Sequence, residues 1–255
     1  RHFGRAAEKC FVSQPTLSAQ VRKLEEYLGV PLVERRPKRV TLTETGEKVV
    51  QRARRVLQEA DAIVEVAKTE RDPLAGQLKL ALIPTVGPYL LPHVVRPLKR
   101  ALPRLKLLLY EYQTGPLLEK LRDGEIDLGI LALPVGVDGI VEAPLYEEPF
   151  MLAVPSTHPL ASRDRVRVAD LEGENLLLLE DGHCLRDQAL EVCSRVHLAE
   201  EQDYRATSLE TLRQMVASGH GITLLPELAS ASPVGTARGL RIKSFGKPAP
   251  SRSIG

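Results

Sequence analysis

Two cysteines, Cys184 and Cys193, stand nine positions apart in the segment DGHCLRDQALEVC. Asp181 and Gly182 read as turn and cap residues, and behind them Leu185, Ala189, Val192 and Val196 repeat at helical spacing. Both cysteines therefore fall on one amphipathic helix, with Cys184 in its first turn. At 100° per residue the nine steps amount to about two and a half turns and about 13 Å of rise, which sends the thiols to opposite sides. A disulfide needs Cα atoms within about 7 Å, so the pair can join only if the helix comes apart, and an oxidation would become a change of shape. Unpaired amide N–H groups and the positive end of the helix dipole stabilise a thiolate at Cys184, and His183 and Arg186 are placed to add cationic help. Cys193 lies on the apolar stripe and reads as a buried, protonated thiol that becomes a partner once the helix opens. Two readings without redox chemistry compete. The cysteines can serve as inert small hydrophobes, or His183, Cys184, Cys193 and His197 could hold zinc, although their spacings miss the usual C-x₂₋₄-C and H-x₃₋₅-H pairs.

The elements that must position this helix follow an α/β pattern. After residue 76, short apolar runs of strand length (QLKLALI, LKLLLYE, IDLGILA, FMLAV, NLLLLE and GITLLP) are separated in several places by helical stretches such as Leu90 to Ala101 and Leu117 to Arg122. Such alternation implies parallel sheets covered on both faces, with ligand sites beyond the carboxyl ends of strands. Thr85 follows the first run, Thr114 the second and Cys184 the NLLLLE run, so three parts of the chain deliver a polar side chain to strand ends.

With 255 residues and 43% hydrophobic content, the chain can bury a substantial core and belongs to the globular class. No apolar run approaches the ~20 residues of a membrane span, and the first residues are polar and basic, without a signal-peptide core. Three cysteines in no framework pattern fit a reducing cytoplasm. The net charge of +2 conceals an asymmetry: residues 1–58 carry 13 Lys/Arg against 6 Asp/Glu, and the remaining 197 carry 22 against 27. A basic head on an acidic body implies a polyanionic partner for the head alone.

In that head, Phe3, Ala6 and Ala7 begin a short helical pattern. Ser13 then stands as an N-cap with Pro15 in the first turn, Leu17, Val21, Leu24 and Leu28 form an apolar stripe, and Gly29 is placed as the stop. Two short helices, the second displaying Gln14, Thr16, Ser18, Gln20, Arg22 and Lys23, are the parts of a helix-turn-helix. The stretch VERRPKRVTLT reads as a wing, two β-prone pieces around the basic turn of Arg35, Arg36, Lys38 and Arg39. From Thr43 a long helix is expected, with Val49, Ala53, Val56, Ala60, Ile63 and Ala67 forming a seam that wants a partner helix, most economically from a second subunit. The expected organisation is a winged helix-turn-helix over 1–42, a linker and dimerisation helix over 43–72, a hinge over 73–76, and a body over 77–255. The body divides into a subdomain I over about 77–148 and a subdomain II over about 149–254.

This order of parts resembles the LysR-type transcriptional regulators, whose regulatory domain is a two-subdomain, periplasmic-binding-protein-like α/β unit. The carriers are SQPTLSAQVRKLE in the recognition helix, IPTVGPYLLPH after the first body strand, and RATSLETLRQMV followed by GITLLP. GHCLRDQ, with a second cysteine nine residues on, is similar to the peroxide-sensing OxyR branch of that family. The resemblance implies that hydrogen peroxide oxidises Cys184 and that Cys193 resolves it as a disulfide. It maps peroxide-holding roles to Thr85, Thr114, His183, Asp187 and Arg252, and contacts with DNA to the helix-turn-helix from Ser13 onward and to the wing. It also places the chain's start after the family's first helix and its end before the family's return to subdomain I. The implied protein is a cytoplasmic regulator of the activator type in the oxidative stress response, acting as a homodimer or homotetramer. Its partners would be double-stranded DNA, hydrogen peroxide, itself and RNA polymerase, with no membrane, cofactor or metal. Two other functions are weighed beside it: a metabolite-responsive LysR-type regulator with structural cysteines and a cleft for a small carboxylate, and a thiol peroxidase, against which the basic head speaks.

Overall fold

The computed structural model of the chain describes residues 3–36, 39–69, 76–194, 196, 199–231 and 238–255, with side chains at 35–36, 39, 58, 61–62, 64–69 and 199–205 outside the description. The chain divides into two compact units, Arg1–Glu70 and Arg71–Gly255.

In the first unit α1 (Phe3–Lys9) precedes α2 (Gln14–Leu28), as the head pattern predicts. Ser13 Oγ accepts from the Thr16 amide at 3.3 Å, Pro15 occupies the first turn, and Gly29 ends the helix at φ +69. The Glu25 carboxylate accepts from the amides of Leu32 (2.7 Å) and Val33 (3.0 Å), turning the chain into the antiparallel hairpin of β1 (Val33–Arg36) and β2 (Arg39–Leu42). The Thr43 hydroxyl accepts from the Gly46 amide at 2.9 Å and donates to the Pro31 carbonyl at 2.8 Å, which caps α3 (Glu44–Thr69) against the hairpin. Gly46 is required there, because an added Cβ would collide with the Leu32 carbonyl. Lys38 lies outside the described residues, as do the side chains of Arg35, Arg36, Arg39 and Ala67. Residues 73–75 of the expected hinge also lie outside them.

The second unit opens with β3 (Gly76–Leu82), α4 (Gly87–Ala101), β4 (Leu105–Glu111), α5 (Thr114–Arg122), β5 (Leu128–Ile130) and β6 (Ala132–Leu133). Next come β7 (Tyr146–Pro155), β8 (Arg165–Val166), β9 (Asn175–Leu179), α6 (Cys184–Val192) and β10 (Ala199–Ala206). It closes with α7 (Leu209–Ala217), β11 (Thr223–Pro226), α8 (Glu227–Ala231), β12 (Leu240–Phe245) and β13 (Ser251–Ile254). A parallel sheet in the order β4-β3-β5 backs the first lobe, and parallel β9 and β10 belong to the second. Between them runs a six-stranded sheet in which β7 pairs antiparallel with β11, β12 and β13. This corrects the expectation of parallel sheets throughout. β12 comes from LRIKSF, whose apolar and polar residues alternate instead of running together, and β13 from SRSI, so neither shows the continuous apolar run that marks the other body strands.

Two buried clusters result. One gathers Leu80, Ala81, Leu82, Ile83, Leu117 and Ile254; the other gathers Phe150, Leu152, Leu177, Leu185, Cys193 and Leu224. β13 pairs with β6 as well as β7, and Ile254 is fully buried in the first lobe's core, so the strand at residues 251–254 packs on both lobes' shared sheet.

Candidate functional site

β3 delivers Leu82 and Ile83 into the first core and then meets Pro84, which has no N–H to continue a ladder. The chain turns, the amides of Val86 and Gly87 both donating to the Ile83 carbonyl at 2.9 Å, and Thr85 is left buried at the strand's carboxyl end. Its hydroxyl accepts from Arg252 Nη1 at 3.0 Å and its carbonyl from Arg252 Nη2 at 3.1 Å. Arg252, on β13, pairs in turn with the Glu148 carboxylate on β7 at 2.7 Å. The fold thus joins Thr85 and Arg252, both singled out by the motifs, through a glutamate that the motifs did not point to. A signal for Glu148 was present: in YEEPFML it alternates with Phe150 and Leu152, whose face of β7 is buried.

Thr114 opens α5, and its Oγ1 is buried with no hydrogen-bond partner among the described residues. Across from it β9 ends in the turn Asp181–Gly182. Gly182 takes φ +95, and an added Cβ would lie 2.8 Å from Gln113 Oε1. The N-cap of α6 is His183, which makes no side-chain capping bond; Asp181 pairs instead with Arg186 Nε at 3.0 Å. His183 is 5% exposed, and burial lowers its pKa below the usual histidine value, although Glu180 and Glu111 pull the other way. The expected cationic help from His183 is therefore corrected, since His183 is held toward its neutral form; Arg186 pairs with Asp181.

Cys184, half-buried, begins α6 and packs against the first lobe's core; Cys193 caps the same helix, is 4% exposed and sits in the second lobe's core. Burial pushes the Cys193 thiol up to about 11, so it rests protonated at neutral pH. Asp187 stands exposed in the first turn of α6, three residues after Cys184, where a carboxylate favours the helix N-terminus.

Between the lobes lies a cavity of about 430 Å³ whose lining includes Thr85, Tyr89, Glu111, Gln113, Glu180, His183 and Glu210. Two bonds cross it: Tyr89 donates to Glu210 at 3.0 Å and Gln113 to Glu180 at 3.4 Å. Burial and the neighbouring Glu210 raise the Tyr89 pKa, which keeps its hydroxyl a donor. Three carboxylates line this cavity and, among the described residues, no Lys or Arg does.

In the head unit Gln14, Pro15, Thr16, Gln20, Arg22 and Lys23 are exposed on α2 and Ser18 is half-buried, while the Ser13 and Thr16 hydroxyls bond each other at 2.8 Å as part of the cap. On α3 Ala53, Val56, Ala60 and Ile63 are exposed, Val56 at 68% and Ile63 at 72%, and Val49 is half-buried. Among the described seam residues, only Val49 is partly covered within its own unit. No described helix is long and apolar enough to cross a membrane.

The family model described as LysR substrate binding domain matches residues 71–255, and that of the bacterial regulatory helix-turn-helix proteins of the lysR family matches residues 1–47. The chain is 50% identical over 255 residues to the DNA-binding transcriptional dual regulator OxyR of Escherichia coli K12, spanning all of this chain and 83% of that one. It is similar in structure to a full-length OxyR from Pseudomonas aeruginosa with a cysteine-to-aspartate change, at a TM-score of 0.80 and 42% identity over 99% of this chain and 85% of that one. It is similar too to a cysteine-to-serine OxyR from Corynebacterium glutamicum with hydrogen peroxide bound, at a TM-score of 0.70 and 39% identity over 99% of this chain and 80% of that one.

Proposed function

The chain belongs to the LysR family of bacterial helix-turn-helix regulators and is a DNA-binding regulator rather than an enzyme, and on that premise we propose that its input is hydrogen peroxide, read by Cys184. The observation that carries this reading is the division of one nine-residue helix between two cores, with Cys184 against one and Cys193 within the other. The Corynebacterium glutamicum relative, with peroxide bound, supports it.

The Cys184 thiolate attacks one peroxide oxygen. The S–O bond forms as the O–O bond breaks, the second oxygen leaves as hydroxide and takes a proton to become water, and Cys184 is left as a sulfenic acid. Thr85, Thr114 and His183 are the groups proposed to hold the peroxide, with Arg252 acting through Thr85. The Cys193 thiol then displaces the hydroxyl from Cys184 as water, giving the disulfide. Because the thiols start on opposite sides of α6, that second step requires the helix to open, and the opened segment repacks the body. In the head, α2 reads base edges, the wing contacts phosphates, and α3 pairs two subunits. The altered grip on DNA is passed to RNA polymerase.

The cavity between the lobes would favour a metabolite ligand, but its carboxylates oppose the small carboxylate that this alternative calls for. Intact mass before and after stoichiometric peroxide tests the proposal. A loss of about two mass units marks the disulfide, and a gain of about sixteen marks a sulfenic acid that Cys193 does not resolve. An unchanged mass rejects peroxide as the input.

A further inference from the structure

We propose that Glu148 is a positioning residue for the peroxide reaction, holding Arg252 in the orientation that makes the Thr85 hydroxyl a donor to the incoming oxidant. This deepens the reading of Cys184 as the peroxide-reactive thiol and rests on it. Glu148, Arg252 and Thr85 are 3%, 4% and 3% exposed and come from three distant parts of the chain. Glu148 Oε2 meets Arg252 Nη2 at 2.7 Å and Nε at 2.9 Å, while Oε1 accepts from the Leu228 amide at 3.0 Å. The carboxylate is therefore anchored to α8 on one side and fixes the plane of the guanidinium on the other. Held this way, the guanidinium presents Nη1 to the Thr85 hydroxyl at 3.0 Å and Nη2 to the Thr85 carbonyl at 3.1 Å.

The direction of these bonds decides what Thr85 can do. A guanidinium has N–H donors and no acceptor, so the Thr85 oxygen must accept from Arg252 and its own hydrogen must go elsewhere. None of the described residues takes that hydrogen, and Thr85 lines the cavity between the lobes. A hydroxyl that accepts from a cation is polarised into a better donor. When sulfur takes one peroxide oxygen, the O–O electron pair moves onto the other, and a fixed O–H meets that charge as it develops. Glu148 touches neither sulfur nor peroxide. Its role is to keep the donor aimed, and a misplacement of about 1 Å is enough to lose much of such an effect.

Rates of Cys184 modification in the full chain, read by mass spectrometry of the cysteine peptide, test this with two reagents. Glu148→Gln should slow oxidation by hydrogen peroxide at least about tenfold at fixed pH, because a fixed donor to the leaving oxygen is lost. Iodoacetamide is neutral and needs no such donor, so its alkylation rate should stay within about twofold. Thr85→Val should cost as much in the native background and little more on top of Glu148→Gln, as expected when two groups act as one unit. Thr85→Ser, which keeps the hydroxyl, should restore the rate. If Glu148→Gln does not fold, Arg252→Lys tests the same fixation, since an ammonium cannot bond carboxylate, hydroxyl and carbonyl in one plane. A native peroxide rate in either folded variant overturns the inference, as do losses that multiply between Glu148→Gln and Thr85→Val. If native Cys184 reacts with peroxide no faster than a small thiol does, the peroxide reading itself falls, and this inference with it.

Discussion

Thr85, Thr114 and His183 reach the site in three different chemical states. Thr85 has its oxygen engaged by Arg252 and its hydrogen taken by none of the described residues; Thr114 has a buried hydroxyl with no partner among the described residues; His183 is buried and held toward neutrality. The histidine leads to a pH prediction. Its folded pKa lies below the ordinary 6.5 because burial penalises the imidazolium, more than Glu180 and Glu111 compensate. Between those two values the unfolded chain binds a proton that the folded body refuses. The contribution of His183 is therefore complete above about pH 6.5 and is lost as pH falls through the folded value. Melting temperatures of the reduced protein across this range should decline toward acid pH, and His183→Gln should flatten the decline. A slope unchanged by that substitution would show that other groups set the acid limit.

At the scale of the element, α6 is the part built to fail. Leu185, Ala189 and Val192 pack it onto the second core, while its first residue packs on the other. Drawing the two sulfurs together removes that packing, and burial of a Leu or Val side chain is worth about 1.5–3 kcal/mol when complete. The disulfide form should be strained and readily reduced, which makes the signal reversible. Hydrogen exchange should show residues 184–196 losing protection on oxidation. Cys193→Ser should keep the first oxidation of Cys184 and abolish the loss of protection. Equal protection of this segment in both redox states would refute the helix-to-loop switch, whatever Cys184 does chemically.

At the scale of the whole molecule, the proposed function needs a second subunit, and α3 is where it would pair. The side chains of Val56 and Ile63 on α3 are 68% and 72% exposed, and a sustained apolar seam in water calls for a matching helix. Ile63→Asp, alone or with Val56→Asp, should shift the protein from dimer to monomer in sedimentation and shorten its footprint on DNA. The native footprint should cover two half-sites a whole number of helical turns apart. A monomeric native protein, or a native footprint of one half-site, would remove the basis for this reading.

Much of this was legible in the residues themselves, and what was not has a common cause. Periodicity and caps are local: Ser13, Gly29 and the steps of the α3 seam state where helices begin, end and want partners, because capping and side-chain direction depend on a few neighbouring residues. The same holds for the cysteine pair, whose nine-residue separation forbids a disulfide in any intact helix. Contacts across the chain are not local. Thr85 and Arg252 are 167 residues apart, Glu148 is 104 from Arg252, and the strand that brings Arg252 to both, SRSI, is too short and polar to announce itself. Only the tertiary structure decided that Arg186 pairs with Asp181, that Asp187 faces solvent, and that one helix is shared between two cores. Those outcomes depend on which surfaces are buried together, and burial is a property of the packed chain.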